Sequence, residues 1–218
     1  MKGTGKNYTL SKPEDFKYDL TKIDGKDYVV IKGVNKPSGF QGPKSSGSNT
    51  VLIDTLTVKI PEKIEGYTVG VIDELALAWK AITAVTIPDT IVEIGVGAVG
   101  GTSISSIKLP KNLKKLGPGA ISGCKNLGSV TIPAGITEIP ESAFSGCESL
   151  KEVVIPDSVT VIGGNAFSGC KELTTVKLPS HPLKYTLSYG ENDAFRSCPK
   201  LSLAVRNAIK ESGYPDEF

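Results

Sequence analysis

Apolar residues recur along most of the chain in one fixed pattern. In LGSVTIPAGITEIPESAFSGCES, starting at Leu127, Val130 and Ile132 stand two apart ahead of Pro133. The same spacing returns with Val153 and Ile155 ahead of Pro156. Positions two apart predict a short strand, and the proline closes it because proline has no N–H to give to a ladder. Later apolar positions, such as Val159, Ile162, Ala166 and Phe167, stand three or four apart or adjacent, which predicts a coil that turns its side chains inward. Such a unit is too small to bury its own apolar edge, so units must stack to form a continuous core.

The unit repeats. The stretch from Leu150, LKEVVIPDSVTVIGGNAFSGCKE, aligns without gaps on the stretch from Leu127, 23 residues earlier. Related stretches begin at Ile104 and at Ile82, the latter one residue shorter. Pro88, Pro110, Pro133, Pro156 and Pro179 are separated by 22, 23, 23 and 23 residues, and Ala98, Ala120, Ala143 and Ala166 each follow a proline by 10. Two outer units are longer. Pro61 to Ala76 and Pro179 to Ala194 both span 15 residues, with Tyr67-Thr68 and Tyr185-Thr186 at the same offset from the proline. Counted by proline, that offset makes the two units equivalent, and the total six.

The repeat, L-x-x-V-x-I-P-x-x-L-x-x-I-g-x-x-A-F-x-x-C, resembles the leucine-rich repeats of the BspA-like bacterial surface proteins across roughly residues 56 to 200. The resemblance implies a leucine-rich repeat solenoid of the α/β-type repeat class, built from about six rungs of β-strand and irregular coil. The rung from Ile82 to Ser103 departs from the pattern, with Val99 in place of Phe and Thr102 in place of Cys. The resemblance further implies a secreted or cell-surface location and an adhesion or host-interaction role. The flat outward strand face suits a protein or glycan ligand, and the lack of a convergent catalytic set makes the module non-enzymatic in this reading. A structural spacer or self-assembly domain is the alternative.

An open-ended array exposes core at both ends and needs caps. Residues 1–50 are expected to form an N-terminal β cap, with Asp24-Gly25 as a hairpin turn and the Gly/Ser/Pro-rich stretch 37–49 as a mobile loop. The repeats occupy 51–200. In 201–218, Leu201, Val205, Ala208 and Ile209 fall on one helical face ahead of Gly213 and Pro215, which predicts a short capping helix and tail.

Composition narrows the function. Lys and Arg number 25 against 23 Asp and Glu, a net charge of +2, which gives no electrostatic footprint for nucleic acid. No apolar run reaches transmembrane length. The opening MKGTGKNYTL has no signal-peptide core behind it, consistent with a cytoplasmic protein or with a mature form whose export signal has been removed.

Candidate chemistry mostly dissolves into the repeat. Cys124, Cys147, Cys170 and Cys198 hold one position per rung, as Phe144, Phe167 and Phe195 hold another, so the thiols are expected as a buried, reduced column with neighbours about 5 Å apart. Side chains from equivalent positions point the same way, which disfavours disulfides. No C-x-x-C pair is present for zinc, and no cofactor is expected. GVGAVG at Gly95 to Gly100 matches a dinucleotide fingerprint, but another rung follows it where that motif needs a helix. His181 is the only histidine, so a Ser-His-Asp or Cys-His site would have to use it. The candidate ligand contacts are therefore outward-facing. They are Lys108, Thr131, Val154 and Lys177 beside the strands, and the aromatics Tyr67, Trp79, Tyr185 and Tyr189, whose alternative is to fill gaps in irregular rungs.

Overall fold

The computed structural model describes residues 6–41, 44–46, 49–51, 54–79, 81–186 and 194–215. The rungs contribute strands to two separate parallel ladders, save that the rung starting at Ile104 contributes to the second alone. The first ladder holds the strands ahead of the prolines. Asn7–Leu10, Thr55–Lys59 and Ile82–Thr86 form one sheet, and Ser129–Thr131, Glu152–Val154 and Thr175–Lys177 form another. Val130, Val153 and Val176 pair in register and are buried, while their neighbours on either side face outward.

The second ladder occupies what the sequence predicts as coil. Tyr67–Ile72, Glu93–Ile94 and Lys115–Leu116 pair in parallel, as do Glu138–Ile139, Val161–Ile162 and Lys184–Tyr185. Most of these strands are two residues long, with one side chain turned in and one out, so they are too short to leave an alternating pattern. Around Ser106 to Lys108 the expected first-ladder strand does not form, although Ile107 and Leu109 still face the core.

The turn after the second strand carries the Ala-Phe-x-x-Cys signature. Ser142 (φ 57°) and Asn165 (φ 58°) adopt left-handed backbone, as do Gly146 (φ 68°) and Gly169 (φ 72°) at the end of the same turn. That geometry delivers Phe and Cys inward. Phe144, Phe167 and Phe195 stack at 5.4 and 5.3 Å between centroids, nearly parallel. Cys124, Cys147, Cys170 and Cys198 are buried free thiols.

The N-terminal segment supplies a strand to each ladder. Asn7–Leu10 pairs with Thr55–Lys59, and Lys26–Val34 pairs in parallel with Tyr67–Ile72. Lys26–Val34 also forms an antiparallel hairpin with Phe16–Ile23, turning at Asp24 and Gly25, both left-handed. The stretch expected to be a mobile loop is tied down at its start. Phe40 is buried and packs edge-on against Tyr8 and Trp79, and the buried Asp54 carboxylate accepts from the Gln41 and Lys6 amides at 2.6 and 2.8 Å. Within the same stretch Lys44–Ser46 pairs antiparallel with Asn49–Val51. At the other end Leu203–Glu211 is helical, started by Ser202, whose Oγ accepts from the Val205 amide. Ile209 and Tyr214 close onto the last rung, with the Tyr214 ring edge-on to Phe195.

Pairing corrects the equivalence of the two long rungs. Tyr185 pairs with Ile162, the inward position that Ile72 holds at the other end opposite Ile94. Its true counterpart is therefore Ile72. In the Pro61 rung the extra residues come before that position, as the hairpin of Lys63–Ile64 with Tyr67-Thr68, turning at Glu65 and Gly66. In the Pro179 rung they come after it. A count from the proline gives the same offset in both cases.

Candidate binding surface

Two outward rows cross the second first-ladder sheet. Ser129, Glu152 and Thr175 are in register, and so are Thr131, Val154 and Lys177. Glu152 reaches across to Lys177, with Oε1 and Nζ 2.8 Å apart. Thr131 and Lys177 are exposed and Val154 is half-buried, so three of the predicted contacts share one face. Lys108 is exposed in the rung whose strand lapses.

Of the predicted aromatics, Tyr67, Trp79 and Tyr185 do not join this face. Tyr67 lies on the inserted hairpin, 40% exposed. Trp79 is half-buried with its ring 5.1 Å from that of Phe40. Tyr185 packs edge-on against Tyr214, and its hydroxyl lies 2.7 Å from Ser212 Oγ. Burial pushes its phenol up to about 12, leaving little of it for a ligand. Tyr189 lies outside the described residues.

Side chains of one rung also reach for the next. The residue after the proline is Asp89 or Asp157 in two rungs, and these carboxylates accept from the Lys111 and Ser180 amides at 2.9 and 2.8 Å. The following residue reaches back. Asn112 Nδ2 donates to the Asp89 carbonyl, Ser158 Oγ to that of Ile136, and His181 Nε2 lies 2.9 Å from that of Asp157. Glu148 sits between Lys125 and Lys171, at 2.9 and 2.8 Å.

The same habit accounts for the candidate chemistry. The Cys124, Cys147, Cys170 and Cys198 thiols donate at 3.2–3.4 Å to the carbonyls of Val99, Ile121, Phe144 and Phe167, each one rung back. Thr102, at the cysteine position of its own rung, places Oγ1 3.3 Å from Cys124 Sγ. Burial pushes the Cys124 and Cys147 thiols up, away from the nucleophilic thiolate. Both ring nitrogens of His181 face backbone carbonyls. A Cβ on Gly95 would lie 2.8 Å from the Glu74 amide nitrogen, and one on Gly117 2.6 Å from that of Val96, so close stacking of turns accounts for glycine at both. Among the described residues there is no cluster of three or more metal-ligating side chains, and no helix is long and apolar enough to cross a membrane.

A groove of about 540 Å³ opens where the N-terminal segment meets the repeats, lined among others by Tyr28, Thr68, Thr90, Lys111, Asn112 and Lys114. None of these was among the contacts predicted from the sequence. Only the shared position of Thr90 and Asn112, two residues after their prolines, hinted that the loops stack here.

The model of the BspA type leucine-rich repeat region matches residues 70–203, in 6 copies, more than half of the chain. The chain belongs to the BspA type leucine-rich repeat family. Among solved structures, a leucine-rich repeat protein of T. pallidum matches with a TM-score of 0.67 at 21% identity, over 94% of this chain and 96% of that one. A leucine-rich repeat protein from Bacteroides ovatus matches at 0.53 and 17%, over 86% of this chain and 68% of that one. The pneumococcal vaccine antigen PcpA matches at 0.50 and 16%, over 82% and 50%. At such identities the likeness is one of fold. A comparison with curated protein sequences gives no match. In this chain the cysteines of four BspA type rungs each bond to the rung before.

Proposed function

We propose that this BspA type chain is a non-enzymatic binding module of a bacterial surface or secreted protein, of adhesion or host-interaction type. In this reading six rungs stack as a solenoid between an N-terminal β cap and a C-terminal helical cap, and the sheet of the first ladder presents the ligand-binding face. The observation that carries it is the registered row Thr131, Val154 and Lys177. Outward side chains held in rows across rungs give a broad face of small, polar groups, suited to a protein or glycan surface. The family supports a bacterial repeat module, and the buried thiols and engaged histidine support the absence of a catalytic set.

The test is binding to a panel of immobilised host extracellular-matrix proteins and glycans, with wild type beside the variant Thr131→Glu, Val154→Asp, Lys177→Glu. Saturable binding lost in the variant, with unchanged circular dichroism, supports the reading. Binding that ignores the triple change removes the face from it. The alternative, a structural spacer or self-assembly domain, predicts no saturable ligand and concentration-dependent association in sedimentation.

A further inference from the structure

The groove between the N-terminal hairpin and the loops after Pro88 and Pro110 has a mostly apolar lining, into which several polar groups with incomplete hydrogen bonding are set. Thr90 Oγ1 is shielded from solvent and has no partner. In later rungs this position reaches back to the preceding loop, as Asn112, Ser158 and His181 do. Before Thr90 the chain instead forms the inserted hairpin, so no equivalent loop receives it. The Tyr28 and Thr68 hydroxyls and the Lys114 ammonium have no partner among the described residues either. Asn112 donates through Nδ2, leaving its Oδ1 available.

The walls also hold an aromatic face in place. Tyr28 pairs with Thr68, and its ring lies over Gly70, where a Cβ would come within 2.3 Å of Cδ1. Only glycine lets the ring lie there. Charge adds a sign. Lys111 is matched by Asp89, with Nζ and Oδ2 3.3 Å apart, and Lys114 has no ion pair among the described residues, whose side chains leave one positive charge in the groove uncompensated.

We propose that this groove binds an acidic saccharide, a sugar ring bearing a carboxylate. The apolar C–H face of a pyranose stacks on Tyr28, its hydroxyls meet the unpaired hydroxyls and the Asn112 amide, and its carboxylate meets Lys114. The volume lies within the range of about 300 to 1,000 Å³ usual for small-ligand sites. A nucleotide would bring more negative charge than one free lysine can answer. A peptide adding as a strand would need a free sheet edge, and Tyr67–Ile72 is already paired on both sides. This site is distinct from the strand rows and does not depend on their role.

The experiment is titration of the whole chain with methyl galacturonide, which bears a single carboxylate, and, in parallel, with the neutral methyl galactoside, followed by amide chemical shifts and calorimetry. Expected are saturable binding of the acidic sugar, shifts centred on Tyr28, Asn112 and Lys114, and weaker binding of the neutral one. Lys114→Ala, an exposed change that leaves the fold intact, should weaken binding about tenfold, the scale of one charge-assisted contact. Tyr28→Leu should weaken it similarly, and should it unfold the chain, Lys114→Ala decides alone. Lys177→Ala should leave affinity unchanged. Absence of saturable binding, equal affinity for the neutral sugar, an unaffected Lys114→Ala protein or a loss on Lys177→Ala would each overturn the proposal.

Discussion

His181 Nε2 lies 2.9 Å from the carbonyl oxygen of Asp157, and its Nδ1 lies 2.9 Å from that of Pro182. Carbonyls only accept, so both contacts are satisfied only when both nitrogens carry protons. The carbonyls of Pro182 and Asp157 therefore raise the imidazole above its ordinary 6.5, aided by the Asp157 carboxylate. A raised folded value means stability that is fully present below about 6.5 and lost as pH rises through the folded value. As the only histidine, it gives one imidazole to follow, and a proton NMR titration should place its midpoint above 6.5. A midpoint at or below 6.5 would contradict the two-carbonyl clamp.

Glu148 behaves in the opposite sense. Hydrogen bonds from Lys171 and Lys125 hold its carboxyl down at about 2, against an ordinary 4.5. Its contribution is present above about 4.5 and lost as pH falls through about 2. Carbon-detected titration should show this carboxylate still ionised at pH 3. In the Lys125→Ala, Lys171→Ala double variant its midpoint should rise toward the ordinary value.

Phe167 has an aromatic ring stacked on each side. Phe167→Ala should cost about 3–5 kcal/mol in denaturant unfolding, from lost burial and the cavity left behind. Phe167→Leu should cost clearly less. A loss below about 1 kcal/mol for the alanine change would mean that the rungs collapse around the gap.

The cysteine column predicts a thiol count. A maleimide or Ellman reagent should modify few of the four cysteines in the native chain and all four in denaturant without reductant. Thiols still missing after denaturation would mean disulfides in place of the thiol-to-carbonyl bonds.

Tyr185 and Tyr67 should part company in a stability measurement. Tyr185→Ala removes a half-buried ring and its bond to Ser212, so the thermal midpoint should fall by several degrees. Tyr67→Ala, on the exposed hairpin, should change stability by less than about 0.5 kcal/mol.

The period, the inward Phe and Cys columns and the family were legible in the sequence because each repeats in register. The second ladder was not, because two-residue strands such as Glu93–Ile94 carry no alternation. The error over Tyr67 and Tyr185 has a similar origin. Counting from a proline gives the number of extra residues, and only pairing with Ile162 tells on which side of the strand they bulge. Of the predicted contacts, Thr131, Val154 and Lys177 came together because their strands recur at 23 residues. The groove stayed hidden because Tyr28 belongs to no repeat and meets Asn112 only through folding.

Both ladders are interrupted in the same rung. Among the described residues, no ladder pairing joins Ile82–Thr86 to Ser129–Thr131, nor Lys115–Leu116 to Glu138–Ile139. What ties the chain across that seam includes turn bonds such as Ile121 N to the Ala143 carbonyl and Gly123 N to that of Ser145, together with the Cys147 thiol on Ile121. The two halves meet there without a ladder, held by these turn bonds and by single bonds such as Gly128 N to the Ser105 carbonyl, so a shearing load should flex the molecule there before either half gives way.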